Sequence, residues 1–257
     1  MRVVLDLRKD VDENAASYFE KAKKARKKVE GALKALEMAR EKKGVLEKKR
    51  AVLKKVVRKQ EWFESFRWFV SSESVLVIGG RDAQSNETVI KKYAAKGDRV
   101  LHTDMAGSPF VVVKFSESKG GEKTIREAAD FVACFSRGWK KGMASLDVFV
   151  VDSDQVTKKA KAGESMPTGA FMIYGDTKYV ENSMNFGVGW WKDRVMGGPV
   201  RAVRKQCGKF VVEVIQGEAK QSDVGKAIKK RLEKKSGFVV DLDEVVRCLP
   251  VGVALKE

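Results

Sequence analysis

A chain of 257 residues with 43% hydrophobic residues is long enough to bury one substantial core, either as one large domain or as a domain with an extension. Its formal charge of +17 predicts attraction to polyanions, with nucleic acid as the leading partner. A membrane is the weaker partner, because no apolar run is long enough to span a bilayer, and the opening MRVVLDLRKDVDEN is too short and too acidic for a secretory leader. Cys134, Cys207 and Cys248 stand far apart with no CxxC or Cys/His spacing, so they read as buried thiols of a reducing cytoplasm and imply no structural zinc.

Composition divides the chain into 1–61 and 62–257. From Ala15 to Ala39, small or apolar residues recur in threes and fours: Tyr18, Ala22, Ala25, Val29, Ala32 and Leu36 lie between those ends. This is the seam of a coiled coil or helical hairpin, with Asp12 or Asn14 able to cap its start. Gly44 interrupts the pattern, and Leu46, Leu53 and Val57 resume it. Either one long helix carries a weak spot there, or two antiparallel helices turn near Lys42–Gly44; the hairpin is the favoured reading. Charge is concentrated here, since Ala15–Glu61 holds 17 Lys/Arg against 6 acids. Sparse Glu among the lysines fits phosphate binding better than a merely solvated helix surface, and such binding would weaken steeply with salt.

From Trp62 onward the pattern is that of a compact mixed domain, so the fold class is α+β with a basic helical arm in front. Trp62, Phe63, Phe66, Trp68 and Phe69 read as an aromatic helix end packed mostly into the core, with one exposed ring able to stack on a base. Val75–Ile78 is a buried strand. Gly79-Gly80-Arg81-Asp82 follows, then a helix capped by Ser85 or Asn86 that runs to about Ala95. Such a turn, beside a helix start, is suited to a phosphate or another anion, although glycine there is equally the ordinary solution to a positive φ. Lys96-Gly97-Asp98 stops the helix, and Arg99–His102 and Phe110–Phe115 are strands around Gly107-Ser108-Pro109. Thr124–Trp139 is an amphipathic helix. Strands at Leu146–Val151, Ala170–Tyr174, Val188–Trp191 and Phe210–Ile215 follow, and helices near Ser222–Glu233 and Leu242–Cys248 close the chain.

Catalytic chemistry finds little support in these residues. His102 is the single histidine, so a nucleophile–histidine arrangement or a histidine-rich metal site has almost nothing to build on. Gly79-Gly80 lacks the GK[ST] of a Walker loop and no GxGxxG lies near it. A metal-dependent nuclease could draw on Asp82, Asp98, Asp104 and Lys114, but no acidic pair stands at close spacing. No cofactor is implied, and the chain reads as a binding protein and not as an enzyme. Arg81 reads as a ligand contact or as the partner of Asp82 or Asp104.

The stretch EWFESFRWFVSSESVLVIGGRDAQSNETVIKKY, followed by GDRVLHTDMAGSPFVVVK, closely resembles the NFACT-R domain, the RNA-binding part of the ribosome quality-control NFACT proteins. The resemblance continues through EKTIREAADFVACFSRGWKKG, DVFVVDSDQVTKKAKAGESMPTGAFMI and VMGGP, so it spans nearly all of 62–199. LDLRKDVDENAASYFEKAKKA is similar to the start of the family's middle coiled coil, and SDVGKAIKKRL through LDEVVRCLPVG is similar to its archaeal form. The resemblance implies a cytoplasmic factor that binds obstructed large ribosomal subunits, through rRNA and tRNA, in rescue of stalled translation. The NFACT-N and helix-hairpin-helix segments of full-length members are not in this sequence, so the resemblance leaves three readings open: a C-terminal fragment, one half of a split protein whose partner is a separate NFACT-N chain or another coiled-coil protein, or a solo protein. Peptide tailing is not carried over. The alternatives are a coiled-coil scaffold for a protein partner and a metal-dependent RNA-processing enzyme. By the same resemblance, Arg81, Arg99 and Lys114 would pair with phosphates. Asn86 and Ser108 would bond backbone or ribose oxygens, and His102, beside Thr103, would stack or meet a 2′-hydroxyl. Asp82 and Asp104 would orient the cations.

Overall fold

The computed structural model describes residues 4–52, 58–105, 107–159 and 166–256, with backbone alone over 42–52. They form two compact units, Met1–Leu53 and Lys54–Glu257.

The first unit is one helix, α1 (Val11–Val52). Its start is capped by Asp10 and not by Asp12 or Asn14. The Asp10 carboxylate accepts from Glu13 N at 2.7 Å, and the Glu13 carboxylate accepts in return from Asp10 N at 3.3 Å, a reciprocal capping box. Asn14 is instead buried by the preceding turn, where its amide donates to the Asp6, Lys9 and Asp10 carbonyls. The hairpin near Lys42–Gly44 is not formed, because the helix runs straight through. One glycine costs only about 0.5–1 kcal/mol against alanine, and the Lys, Glu, Leu and Arg around it favour helix. Val29, Leu33, Leu36 and Met38 are exposed along it. Leu46, Leu53 and Val57 lie outside the described side chains. No helix among the described residues is long and apolar enough to cross a membrane.

The second unit is α+β, built on two antiparallel sheets. The larger runs in the order β1 (Arg67–Val70), β2 (Leu76–Gly79), β4 (Val111–Val113), β3 (Arg99–Thr103), β5 (Val148–Asp152) and β8 (Lys178–Val180). The smaller runs β10 (Arg194–Gly198), β9 (Phe186–Trp191), β11 (Val211–Ala219) and β12 (Val253–Leu255), and β6 (Val156–Thr157) pairs with β7 (Met172–Ile173) as a short ribbon. Helix α2 (Ala83–Thr88) continues as a π turn over Val89–Tyr93. Helix α3 (Glu122–Cys134) packs on β3, β4 and β5. The single helix expected over Thr124–Trp139 is broken, because Ser136 accepts from Gly138 N and starts α4 (Arg137–Lys140). Helices α5 (Val200–Cys207), α6 (Gln221–Ser236) and α7 (Leu242–Cys248) cover the smaller sheet.

The aromatic run after Trp62 is not a helix end. One 3-10 turn (Trp62–Ser65) leads into β1, where Trp68 and Phe69 are buried. The sheets meet at this strand. Val70 N donates to the Met196 sulfur at 3.3 Å, and a Cβ on Gly198 would stand 2.8 Å from the Phe69 Cβ, so only glycine lets β10 approach this closely. Glu64 joins the segments around the turn. Its carboxylate pairs with Arg58 at 2.8 Å and with Arg194 at 2.6 Å, while Arg58 also reaches Glu244 on α7 at 2.7 Å. Cys134 and Cys207 are buried and Cys248 is half-buried, with burial pushing the Cys207 and Cys248 thiols up to about 12.

One ion pair lies wholly inside the larger sheet's end. Lys114 Nζ meets Asp98 Oδ2 at 2.6 Å and donates to the Tyr93 carbonyl at 2.8 Å, while Asp98 also accepts from Ala95 N and Ser116 N at 2.9 Å. Burial by itself would raise the Asp98 carboxyl, but bonds from Lys114, Ser116 and Ala95 outweigh it and hold the group below its usual value. Because the folded value lies below the unfolded one, this stabilisation is complete above the ordinary carboxylate range and is lost as pH falls through the folded value. Asp98→Asn should therefore cost roughly 3–5 kcal/mol at neutral pH, by stranding the Lys114 charge. In urea melts, the gap to the parent should narrow as pH drops below about 4.

Candidate functional site

The register of the larger sheet places one set of chain ends together. Arg67 is opposite Gly79, Gly79 is opposite Val111, and Leu101 is opposite Val111 from the other side. The residues after β2, after β3 and before β4 therefore share one end of the sheet. Arg99 pairs with Val113 and marks the other end.

The join between β2 and α2 depends on close approach. Asn86 Oδ1 accepts from Phe110 N at 3.0 Å, and Gly80 N donates to the Phe110 carbonyl at 3.2 Å. A Cβ on Gly80 would lie 2.0 Å from Asn86 Oδ1 and 2.7 Å from Asn86 N. Neither Gly79 nor Gly80 has a positive φ. The ordinary-turn explanation of this pair is thus corrected: Gly80 is required because Asn86 fills the space a side chain would take.

An anion cradle at the start of α2 is not available either. Asp82 caps the helix, its Oδ1 accepting from Ser85 N at 2.8 Å and from Ser85 Oγ at 2.8 Å. The Ser85 bonds hold its carboxyl below the usual value. A carboxylate of the chain already occupies the place a phosphate would take on this six-residue helix. Ser85 and Asn86, expected as caps, lie inside the first turn.

Around this join the chain forms an open cleft of about 540 Å³. Arg81, Asp82 and Asn86 line it from the β2–α2 side, and His102, Thr103, Asp104 and Ser108 line it from the β3–β4 side. The segment Thr168–Phe171 closes a further wall, docked by Gly169 N donating to Glu87 at 3.0 Å. The floor is aromatic. His102 stacks on Phe110 with ring centroids 4.0 Å apart, and Phe171 meets Phe110 edge to face at 5.1 Å. His102 Nε2 lies 3.3 Å from the Ser108 carbonyl, and burial lowers the ring's pKa, so His102 is neutral at pH 7. Asp104 Oδ2 accepts from the Tyr179 hydroxyl at 3.1 Å.

Seven of the nine expected residues thus share this cleft, and two do not. Lys114 is buried in its pair with Asp98 at the opposite end of the sheet, where no phosphate can reach it. Arg99 lies at that same end, bonded to its strand neighbour Asp152. Asp98 lies there too, so the carboxylates grouped as a possible nuclease site do not converge. Arg81 is in the cleft wall, but its guanidinium is spent on carbonyls: Nε donates to Ser65 at 3.1 Å, Nη1 to Arg247 at 3.0 Å and Nη2 to Phe66 at 2.9 Å. It pairs with neither Asp82 nor Asp104 among the described residues. Nor do those two carboxylates orient a cation, since their bonds go to Ser85 and Tyr179.

Two arginines that the sequence reading passed over take the place of Arg81. Arg67 lies over the Phe135 ring at 4.5 Å and donates one bond to the Gly80 carbonyl at 2.5 Å. Burial, with the nearby Arg81 charge, lowers its pKa to about 10, so it stays charged at pH 7. Arg137 is exposed at the start of α4, and its guanidinium packs against the Gly107 turn at the cleft's edge. No ion pair among the described residues involves Arg137. Finding Arg67 required the β1–β2 register, because an aromatic helix would have pointed it elsewhere. For Arg137 the sequence carried no signal.

Gly80→Ala should destabilise the fold by several kcal/mol, since its Cβ meets backbone as well as the Asn86 side chain. Gly79→Ala, whose Cβ meets the Val111 Cγ2 at 3.0 Å, should cost less. Asn86→Ala leaves Phe110 N without its acceptor and should cost about 1–3 kcal/mol. Denaturant melts of the three variants give the order.

Comparison with known proteins places the cleft within a described domain. Residues 65–175 match the NFACT protein RNA binding domain. The chain is 37% identical over 212 residues to the archaeal Rqc2 homolog aRqcH of Methanocaldococcus jannaschii, covering 80% of this chain and 31% of that protein. It is 38% identical over 180 residues to the human ribosome quality control complex subunit NEMF, covering 66% of this chain and 16% of that one. The NEMF homolog of Drosophila melanogaster is 36% identical over 188 residues, covering 69% and 18%. The chain therefore spans less than a third of the length of each of these relatives. Both sheet ends, the β2–α2 join and the Thr168–Phe171 wall fall inside the matched segment, and through it the chain belongs to the NFACT family.

Proposed function

We propose that this chain is the RNA-binding module of a cytoplasmic ribosome-associated quality-control factor, engaging the rRNA of obstructed large subunits and their tRNA. The observation that carries this reading is the overlap of two independent features. The segment matching the NFACT RNA-binding domain is the segment that builds the aromatic-floored cleft, with Arg67 and Arg137 beside it. A basic helix adds long-range attraction, since most of the excess charge falls in Ala15–Glu61. The names of the relatives, an archaeal Rqc2 homolog and subunits of the ribosome quality control complex, agree with this role. The chain binds and positions RNA and does not cut it.

Exposed Val29, Leu33 and Leu36 on α1 favour a second reading, in which a partner helix from another protein or from an NFACT-N chain covers that stripe. The two readings separate by mutation. Reversing six or more α1 lysines to Glu should abolish co-sedimentation of the purified chain with large subunits carrying peptidyl-tRNA. Raising the salt from about 50 to 200 mM should weaken the parent's binding steeply, by orders of magnitude if many phosphates are engaged. If the reversed chain still sediments, and Leu33→Asp with Leu36→Asp is the change that abolishes sedimentation, the scaffold reading stands in its place.

A further inference from the structure

We propose that the cleft captures a single unstacked RNA base, with its amino-bearing edge toward Asp104 and its phosphate at Arg137. The inference rests on the RNA-binding reading and adds to it a specific mode of contact. It begins with what the cleft offers. A volume of about 540 Å³ lies within the range of small-molecule sites, roughly 300–1,000 Å³, and suits a nucleotide better than a duplex. Its floor is the Phe110–His102 stack and its wall is Phe171, with Phe149 beside His102 at 6.0 Å between ring centroids. Phe110 is buried beneath His102, so the rings left to meet a base are the half-buried His102 and Phe171, and an aromatic face takes any base by its own face.

The charges around the floor give the base an orientation. The Lys158 ammonium lies 5.0 Å from the Phe171 ring centroid but is already paired with Glu87 at 3.1 Å. Arg81 is tied to three carbonyls. Arg137 is the exposed guanidinium at the Gly107 edge and keeps its fork for a phosphate. Asp104 is fixed by the Tyr179 hydroxyl through one oxygen, which leaves the other as an acceptor. A carboxylate there repels a phosphate and accepts from the exocyclic amine of adenine, cytosine or guanine. Uracil offers that position a carbonyl and is disfavoured.

A double-mutant cycle on the full chain tests this. Binding is measured for a set of single-stranded hexaribonucleotides and their singly abasic versions, at salt high enough to suppress the charge of α1. Removing one particular base should weaken binding about ten-fold, in line with the worth of one base stacked on an aromatic ring, while removal at other positions changes little. Uracil at that position should bind more weakly than cytosine. In Phe171→Ala the intact and abasic RNAs should bind alike, and Phe171→Tyr should restore the difference. Arg137→Ala should weaken intact and abasic RNAs equally. Asp104→Asn should erase the preference for cytosine over uracil. If abasic RNAs bind as well as intact ones, or if the base and Phe171 contribute additively in correctly folded variants, base capture is overturned while RNA binding stands. If none of the RNAs binds at any salt, the RNA-binding reading falls with it.

Discussion

Asn86 presses so closely on Gly80 that no other residue could stand there, and much of the second unit follows from that contact. With Gly80 reduced to backbone, the Asn86 amide reaches the Phe110 N–H, while Gly80 N reaches the Phe110 carbonyl. One side chain thereby joins the end of β2, the first turn of α2 and the entry to β4. Phe110 is held in place by both bonds, and His102 stacks on Phe110. The Thr168–Phe171 wall depends on the same helix, because a Cβ on Gly169 would stand 2.6 Å from the Ala83 Cα and Gly169 N is bonded to Glu87. The cleft is thus the space left when three segments converge on α2.

Buried charge in this fold serves architecture. Lys114, Arg58, Arg194 and Arg81 each have partners inside the protein, either carboxylates or carbonyls. The cost of desolvating a charge makes this necessary, since an unpaired ammonium or guanidinium in an apolar interior is strongly unfavourable. Arg81 shows the consequence most directly. It stands in the cleft wall, yet it bridges the Trp62–Ser65 turn, Phe66 just after it and the last residues of α7, so that this helix braces the wall. Its substitution would disturb that junction before it disturbed any ligand.

Strands were legible where an apolar run was continuous, as in Val75–Ile78, because buried strands of a covered sheet need no alternation. Seven of nine expected residues share a cleft since they follow neighbouring strand ends, and that much is readable from chain order. What failed was long-range. Whether Lys114 faced solvent depended on Asp98 folding beneath it, sixteen residues away and part of what looked like ordinary turn chemistry. β1 was hidden because five aromatics in eight residues suit a helix stripe and a buried edge strand equally. At Gly44 local propensity points to a turn, yet one glycine does not break a helix of 42 residues without a competing packing arrangement. The missing arginine, Arg137, directly follows the Ser136 cap that breaks the helix, with the Leu146 side chain close against Gly138.

Charge and shape are carried by different parts of the chain, and they answer different demands of RNA recognition. The lysines of α1 supply an attraction that is long-range, indifferent to sequence and screened by salt. The cleft has few free cations and a neutral imidazole, so its contribution depends on stacking and on hydrogen-bond geometry, which salt hardly touches. A ribosome presents phosphate almost everywhere, and a basic helix alone cannot choose among its parts. A site that accepts one exposed base can, because bases stand unstacked only at loops, bulges and ends. In the proposed function the helix raises the frequency of encounter, and the rigid join at Gly80 and Asn86 keeps the cleft ready-formed. The ordering entropy of recognition then falls on the RNA rather than on the protein.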